Sequence, residues 1–439
     1  MPGEPRSMHL GAFLFNLGNH VAAWRHPDTP PAGLLDLGFY AHLAQVAERG
    51  CLDFVFHSDG VGINDTYPAI VGHTVTIRPE PTTLLAALAA STRRIGLAAT
   101  VSTTYHEPYA VARTFATLDH LSRGRAAMNV VTSSPDQEAR NHGAEAHLDH
   151  AARYRRAAEF IDVCRGLWDS WEDGAIAADQ NSGRFADPAR IHHLDHRGPF
   201  FAVRGPLNVP RPPQGHPVLI QAGTSTDGQR LAAAEADLVF TVNTGFAEAQ
   251  RRYAALRHAA AELGRPVPPR ILPGLMPFVA ETRAEAQADH DRLQALIPGE
   301  IAIPYLSDLV EHDLSPYPPD GPLPPLPSIN GGVGRLEMVR DLGAQGLSLG
   351  AVAQRMLLGR GHWTVIGTAA DVADEMQRWF ENGACDGFNI LAPHHPGGLD
   401  RFVDLVVPEL RRRGLFRTHY AGSTLRNHLG LDRPPNRFT

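Results

Sequence analysis

Cysteine is scarce: Cys51, Cys164 and Cys385 are the only three in 439 residues. They are too few and too scattered for a disulfide framework or a zinc site, which predicts a reduced compartment. Positive charge is in deficit as well. The formal charge of -7 at pH 7 argues against nucleic acid and against anionic membrane surfaces. No apolar run approaches membrane-spanning length, and Met1-Pro-Gly-Glu-Pro-Arg-Ser lacks the pattern of a secretory leader. A cytoplasmic protein with no membrane partner is therefore expected. Missing too are a His-Glu-x-x-His pattern, a phosphate loop with Gly-Lys-Ser/Thr, and a Gly-x-Gly-x-x-Gly after a strand. Gly331-Gly-Val-Gly334 is the nearest approach to the last, without the preceding strand or the third glycine. Of the 23 histidines, two pairs are adjacent, His192-His193 and His394-His395. Neighbours in a strand point to opposite faces, so neither pair chelates by itself, and no metal is expected.

Apolar residues make up 43% of the chain, enough to bury a sizeable core. Strand and helix patterns alternate along it. The expected strands are Leu10–Phe15, Leu52–His57, Ile95–Ser102, Ala126–Val131, Val218–Ile220, Leu238–Val242, Ile271–Ala280 and Gly387–Leu391. Pro277 is tolerable only near the end of its strand. Between them run helical faces, the clearest carrying Tyr154, Ala157, Ile161, Cys164, Trp168 and Trp171 at spacings of three and four. Val372, Met376, Trp379 and Phe380 mark the last helix face. The pattern breaks twice, over about 172–216 and about 298–361. The second break contains a Pro-rich run from Pro316 and reads as a long loop suited to a lid. Eight alternating units make an α/β fold, a (β/α)8 TIM barrel with two insertions, in a single domain spanning 1–439. A doubly wound open sheet is the runner-up.

In such barrels the ligand site lies at the C-terminal ends of the strands. That rule selects Phe13–Asn16 with His20, Asp59, Ser102–Thr104, Asn129–Ser133 and Gln221–Ser225. The set is mostly uncharged and rich in hydroxyls, with no Ser-His-Asp order and no glutamate pair for glycoside chemistry. Groups that hydrogen-bond without an evident nucleophile suggest a cofactor that carries the chemistry. Pro217-Val-Leu-Ile-Gln-Ala-Gly-Thr-Ser-Thr-Asp-Gly228 reads as a strand, a Gly turn and a helix starting at Thr224 or Ser225. Free backbone N–H groups and the helix dipole there suit a phosphate. Ser225 as a plain N-cap explains the same residues.

Short stretches in order along the chain resemble the bacterial luciferase-like flavin monooxygenases, in the nitrilotriacetate, pristinamycin and dibenzothiophene-sulfone branch. They include Gly11-Ala-Phe-Leu14, Phe54-Val-Phe-His-Ser-Asp59, Ser102-Thr-Thr-Tyr-His-Glu-Pro-Tyr109, Asn129-Val-Val-Thr-Ser133, Gln221-Ala-Gly-x-Ser225 and Asp386-Gly-Phe-Asn389. The resemblance implies an FMN site. Asp59 and Thr103 would lie by the flavin ring and its ribityl edge, Asn129 beneath the ring, and His150 and Tyr154 at the ribityl and phosphate end. Ser225 would hold the phosphate. It also implies FMNH2 supplied by a separate NAD(P)H:flavin reductase, a C4a-hydroperoxide formed with O2, and one oxygen atom passed to a small organic substrate. Relatives are commonly dimers or tetramers. His20 stands where a proton donor of near-neutral pKa is expected; packing against Trp24 is its other reading. Two positions depart from the pattern: Met128 stands in place of a usual Trp and His142 in place of a usual Phe, which would reshape the pocket wall. An F420-dependent oxidoreductase and a non-catalytic flavin-binding protein are the alternatives on this barrel.

Overall fold

Eight short apolar runs, each closed by a turn, form parallel strands: β1 (His9–Phe13), β2 (Phe54–His57), β3 (Gly96–Ser102), β4 (Ala126–Val131), β5 (Val218–Gln221), β6 (Leu238–Thr241), β7 (Arg270–Val279) and β8 (Gly387–Ile390). Each pairs in parallel with the next, and β8 pairs back onto β1, so the sheet closes. The result is the (β/α)8 barrel that the eight-fold alternation implies. The computed structural model describes residues 6–63, 65–133, 135–223, 225–243 and 245–439. Ser134 and Thr224, expected at a strand end and a helix start, lie outside the described residues, as do the first five.

Strand alternation sorts the core into two layers. Along β3, Leu97, Ala99 and Val101 pack toward the helices, while Ala98 faces the interior. The interior is aromatic, with Phe13, Phe54, Phe56 and Phe240 buried together. Phe13 stacks on Phe56 at 5.0 Å. Burial of each such ring contributes roughly 1.5–3 kcal/mol. Gly11 is forced by this packing: a Cβ there would lie 2.5 Å from the Phe54 ring and 2.8 Å from Asn389 Oδ1.

Helices α1 (Leu37–Arg49), α2 (Pro81–Ser91), α3 (Pro108–Ser122), α4 (His150–Asp169), α5 (Thr226–Glu235), α6 (Phe246–Glu262), α7 (Arg283–Ala295) and α8 (Ala369–Glu381) surround the strands. Their starts are capped from the sequence: Asp36 accepts from Phe39 N–H, Asp149 from Ala152 N–H, and Thr282 and Thr368 close capping boxes with Glu285 and Asp371. On α4, Ala157, Ile161, Cys164 and Trp168 are buried, and Trp168 Nε1 donates to Ala112 O on α3 at 2.9 Å. Trp171 lies past the end of the helix and donates to Leu207 O.

Three expectations need correction. The break at 298–361 is not a loop. It contains helices Ala302–Leu309, Val333–Ala344 and Leu349–Gly359, which share a core of Leu306, Leu336, Val339, Val352 and Met356. The proline run concealed helices on either side of it. Nor is α8 the last helix, because residues 397–412 turn helically after β8. Third, Met128 does not line the barrel interior. It alternates with inward Ala127, sits in the helix-facing layer and is fully buried there. Pro277 falls where β7 has left β8, whose register ends at Leu275, and keeps the strand Trp363–Gly367 on its other edge. The 172–216 insertion holds two small hairpins, Ile176–Asp179 with Arg184–Ala186 and His196–Arg197 with Ala202–Val203.

Candidate active site

The turn after β5 and the first turn of α4 meet at one corner. Ser225 is the N-cap of α5, its Oγ accepting from Gly228 N–H at 3.2 Å. The same hydroxyl donates to Tyr154 Oη at 3.5 Å. Tyr154 is one turn into α4, and its ring lies 4.9 Å from that of His150. His150 Nδ1 is 3.0 Å from Asp227 Oδ2 in the first turn of α5. Two glycines let the chain pack closely against Tyr154 here. A Cβ on Gly223 would approach Tyr154 Oη to 2.8 Å and Gln221 Nε2 to 2.4 Å, and one on Gly228 would approach Tyr154 Oη to 2.9 Å. His150, Tyr154 and Ser225 are thus brought together around a helix start whose N–H groups favour an anion.

Asn129 on β4 and Thr103 just past the end of β3 belong to neighbouring strands. Asn129 Nδ2 donates to Thr100 Oγ1 at 3.0 Å, while its Oδ1 is buried without a partner. Asn389 Oδ1 on β8 is orphaned in the same way. Such atoms call for a donor, from water or a ligand. Thr103 is fully buried and donates its hydroxyl to Val131 O at 3.1 Å. Asp59, half-buried after β2, accepts from Gly60 N–H at 2.8 Å. Burial raises its pKa, with Glu80 and Glu138 adding repulsion against the opposing Gly60 N–H and Arg78. Asp59 makes no contact with the Ser225 corner among the described residues.

His20 departs from expectation. It is 2% exposed, and burial, with His290, Arg360 and His394 nearby, lowers its pKa to about 3. Its Nδ1 accepts from Ala22 N–H at 3.1 Å, so the neutral ring carries its hydrogen on Nε2. That atom is 3.0 Å from the Gln294 side-chain amide, which must then present its oxygen. A proton donor titrating near neutrality is not what this environment makes. His142 is exposed and stacks on Tyr105 at 4.4 Å.

Two groups escaped the sequence. Arg153 is 1% exposed and donates to Ser133 O beyond β4 and to Asn330 O in the 298–361 insertion. It lies three residues after His150 on α4, at a spacing that puts the two on one helix face. His26, Asp289 and His394 present ligand-type atoms within 4.8 Å of one another, although no sequence motif predicts a metal there. Asp289 accepts from His26 Nε2 at 3.1 Å and lies 3.4 Å from Arg401 Nη1. Burial would raise its pKa, but His394, His26 and Arg401 outweigh that and hold it at about 2. This is the geometry of a carboxylate shared by two imidazoles and a guanidinium. No spacing rule joins positions 26, 289 and 394.

A closed (β/α)8 barrel with buried polar groups at the carboxyl ends of its strands defines the class, a TIM-barrel enzyme. The family model for luciferase-like monooxygenases matches residues 12–386. The chain is 45% identical to N-acetyl-S-(2-succino)cysteine monooxygenase of Bacillus subtilis (strain 168), covering 100% of both chains. It is also 45% identical to nitrilotriacetate monooxygenase component A of Aminobacter aminovorans, covering 99% of this chain and 98% of that one. Among solved structures, a long-chain alkane monooxygenase superposes with a TM-score of 0.86 at 33% identity, covering 97% of this chain and 96% of the other. The chain belongs to the luciferase-like monooxygenase family, and it is a monooxygenase. No helix among the described residues is long and apolar enough to cross a membrane.

Proposed function

We propose that this monooxygenase binds reduced FMN delivered by a separate NAD(P)H:flavin reductase and uses O2 to oxygenate a small organic substrate. The observation that carries the reading is the corner of Ser225, Tyr154 and His150, drawn together where Gly223 and Gly228 carry no Cβ. A relative named as component A of its enzyme supports a two-component arrangement. When bound, reduced FMN supplies the two electrons that let one atom of O2 enter the product while the other leaves as water.

The chain's own residues have three tasks. Ser225 Oγ, Tyr154 Oη and the first N–H groups of α5 hold the phosphate, with His150 oriented by Asp227. Asn129 Oδ1 would offer the flavin a buried acceptor, and Thr103 after β3 and Asp59 after β2 would help to hold it. The aromatic interior below and the 298–361 insertion above exclude water, which keeps reducing equivalents from leaking to free peroxide.

Anaerobic titration of the purified protein with dithionite-reduced FMN tests the reading. Saturable one-to-one binding that riboflavin reproduces only weakly is expected. Binding of F420 in place of FMN, or of neither form of FMN, overturns it.

A further inference from the structure

Phe15 follows β1 at the same end of the barrel and is 7% exposed. Two cations share its ring: Arg78 Cζ lies 5.1 Å from the ring centre and Arg360 Cζ 4.7 Å from it. A third, Arg335 of helix Val333–Ala344, is near enough for its charge to act on both Arg78 and His362. Burial and then Arg360 push the Arg78 pKa down, against the pull of Asp59 and Glu138. Like charges do not gather in a half-buried place without something to answer them.

Among the described residues Asp59 and Glu138 pull on Arg78, but neither closes an ion pair with it. None of the three guanidinium groups forms an ion pair with any described carboxylate, although many other arginines do. Arg360 spends Nε on Asn19 O at 3.2 Å and Nη1 on Tyr305 Oη at 3.5 Å. Arg78 and Arg335 make no side-chain hydrogen bond among the described residues. Each planar fork therefore keeps N–H donors of the geometry that a carboxylate fits bidentately. Arg78 touches the barrel side of this place: a Cβ on Gly60, next to Asp59, would lie 2.7 Å from its Nη1. Arg335 and Arg360 come from the other side, the 298–361 insertion.

We infer that this arginine cluster is the substrate seat, and that the substrate is a small polycarboxylate with at least two carboxylates, bridging the barrel and the insertion. The inference rests on the monooxygenase reading for the word substrate, since the phosphate of the cofactor is accommodated elsewhere, at Ser225. Phe15 would lie under the apolar part of such a molecule, with a cation on the ring in either direction.

The test is calorimetric titration of the full, flavin-free chain with tricarballylate and with its trimethyl ester, with FMN affinity measured on the same preparation. Tricarballylate is expected to bind with an affinity that falls as salt is added, and the ester not to bind. Arg78→Met, Arg335→Met and Arg360→Met should each weaken tricarballylate by about tenfold or more while leaving FMN affinity and the melting temperature unchanged. Equal affinity for acid and ester, or three variants that all bind like wild type, overturns the inference. So does a loss of FMN affinity in the variants without loss of the anion, which would assign the arginines to the flavin. If the anion binds and reduced FMN does not, the seat stands and the cofactor assignment falls; the reverse result removes only the seat.

Discussion

Replacing Ser225 by alanine removes one oxygen that does two separable things. In the free protein Oγ caps α5 by accepting from Gly228 N–H at 3.2 Å, and losing an N-cap costs about 1 kcal/mol of stability. With FMN bound, the same hydroxyl gives a hydrogen bond to a charged phosphate, a contact of roughly 1.5–3 kcal/mol. The dissociation constant for FMN should then rise about tenfold to a hundredfold. Riboflavin has the same ring and ribityl chain without the phosphate, so its affinity should stay where it was. Fluorescence-quenching titrations with the two flavins, beside a urea melt of each protein, separate the effects. If Ser225→Ala weakens riboflavin as much as FMN, the residue only holds the helix in place and the phosphate corner is wrongly located.

Two further perturbations reach other parts of the molecule. His20, His57, His395 and His428 are all at most 5% exposed, and burial lowers their pKa values from 6.5 to about 3, 4, 3 and 4 respectively. Their folded values lie below the unfolded one, so the unfolded chain takes up protons first as the solution is acidified. Their contribution to stability is complete above pH 6.5 and is lost as pH falls from there toward 4, at about 1.4 kcal/mol per pH unit for each histidine. Urea midpoints measured from pH 8 to pH 5 should fall steeply below 6.5, and a flat profile would contradict the assignment of buried neutral rings. Met128→Trp places a bulky aromatic in a fully buried position facing the helices. It should cost about 1–3 kcal/mol in overpacking and leave FMN affinity unchanged; a changed affinity would mean that the side chain reaches the flavin after all.

Much of this was legible in the sequence where the signal is local. β3 and β4 end within a residue of where their apolar runs stop, and Ser225 declares itself as a cap because a hydroxyl follows a strand and a glycine turn. His150 and Tyr154 come from the family resemblance; spacing alone marks Tyr154 only as part of the apolar stripe of α4. Which face a strand residue takes is not local: Met128 borders the interior in sequence and turns away from it by one step of the pleat. The 298–361 segment reads as a loop because its prolines, all between Pro298 and Pro327, are conspicuous, while the apolar positions Leu336, Val339 and Val352 lie beyond them. The mouth also looked uncharged, since Arg78, Arg335 and Arg360 are drawn from three distant stretches that no spacing rule connects. His20 has a near-neutral pKa by residue type; only the packing around it shows otherwise.

The 298–361 helices keep their own oily centre, separate from the two layers of the ring. A part that holds itself together can be revised piecemeal. Changes on its ring-facing side, at positions such as Arg335, alter what the molecule accepts as its reactant, while the eight strands and the phosphate corner stay untouched. Diversity of chemistry on a constant scaffold then needs no invention of a new fold, only turnover in one detachable roof.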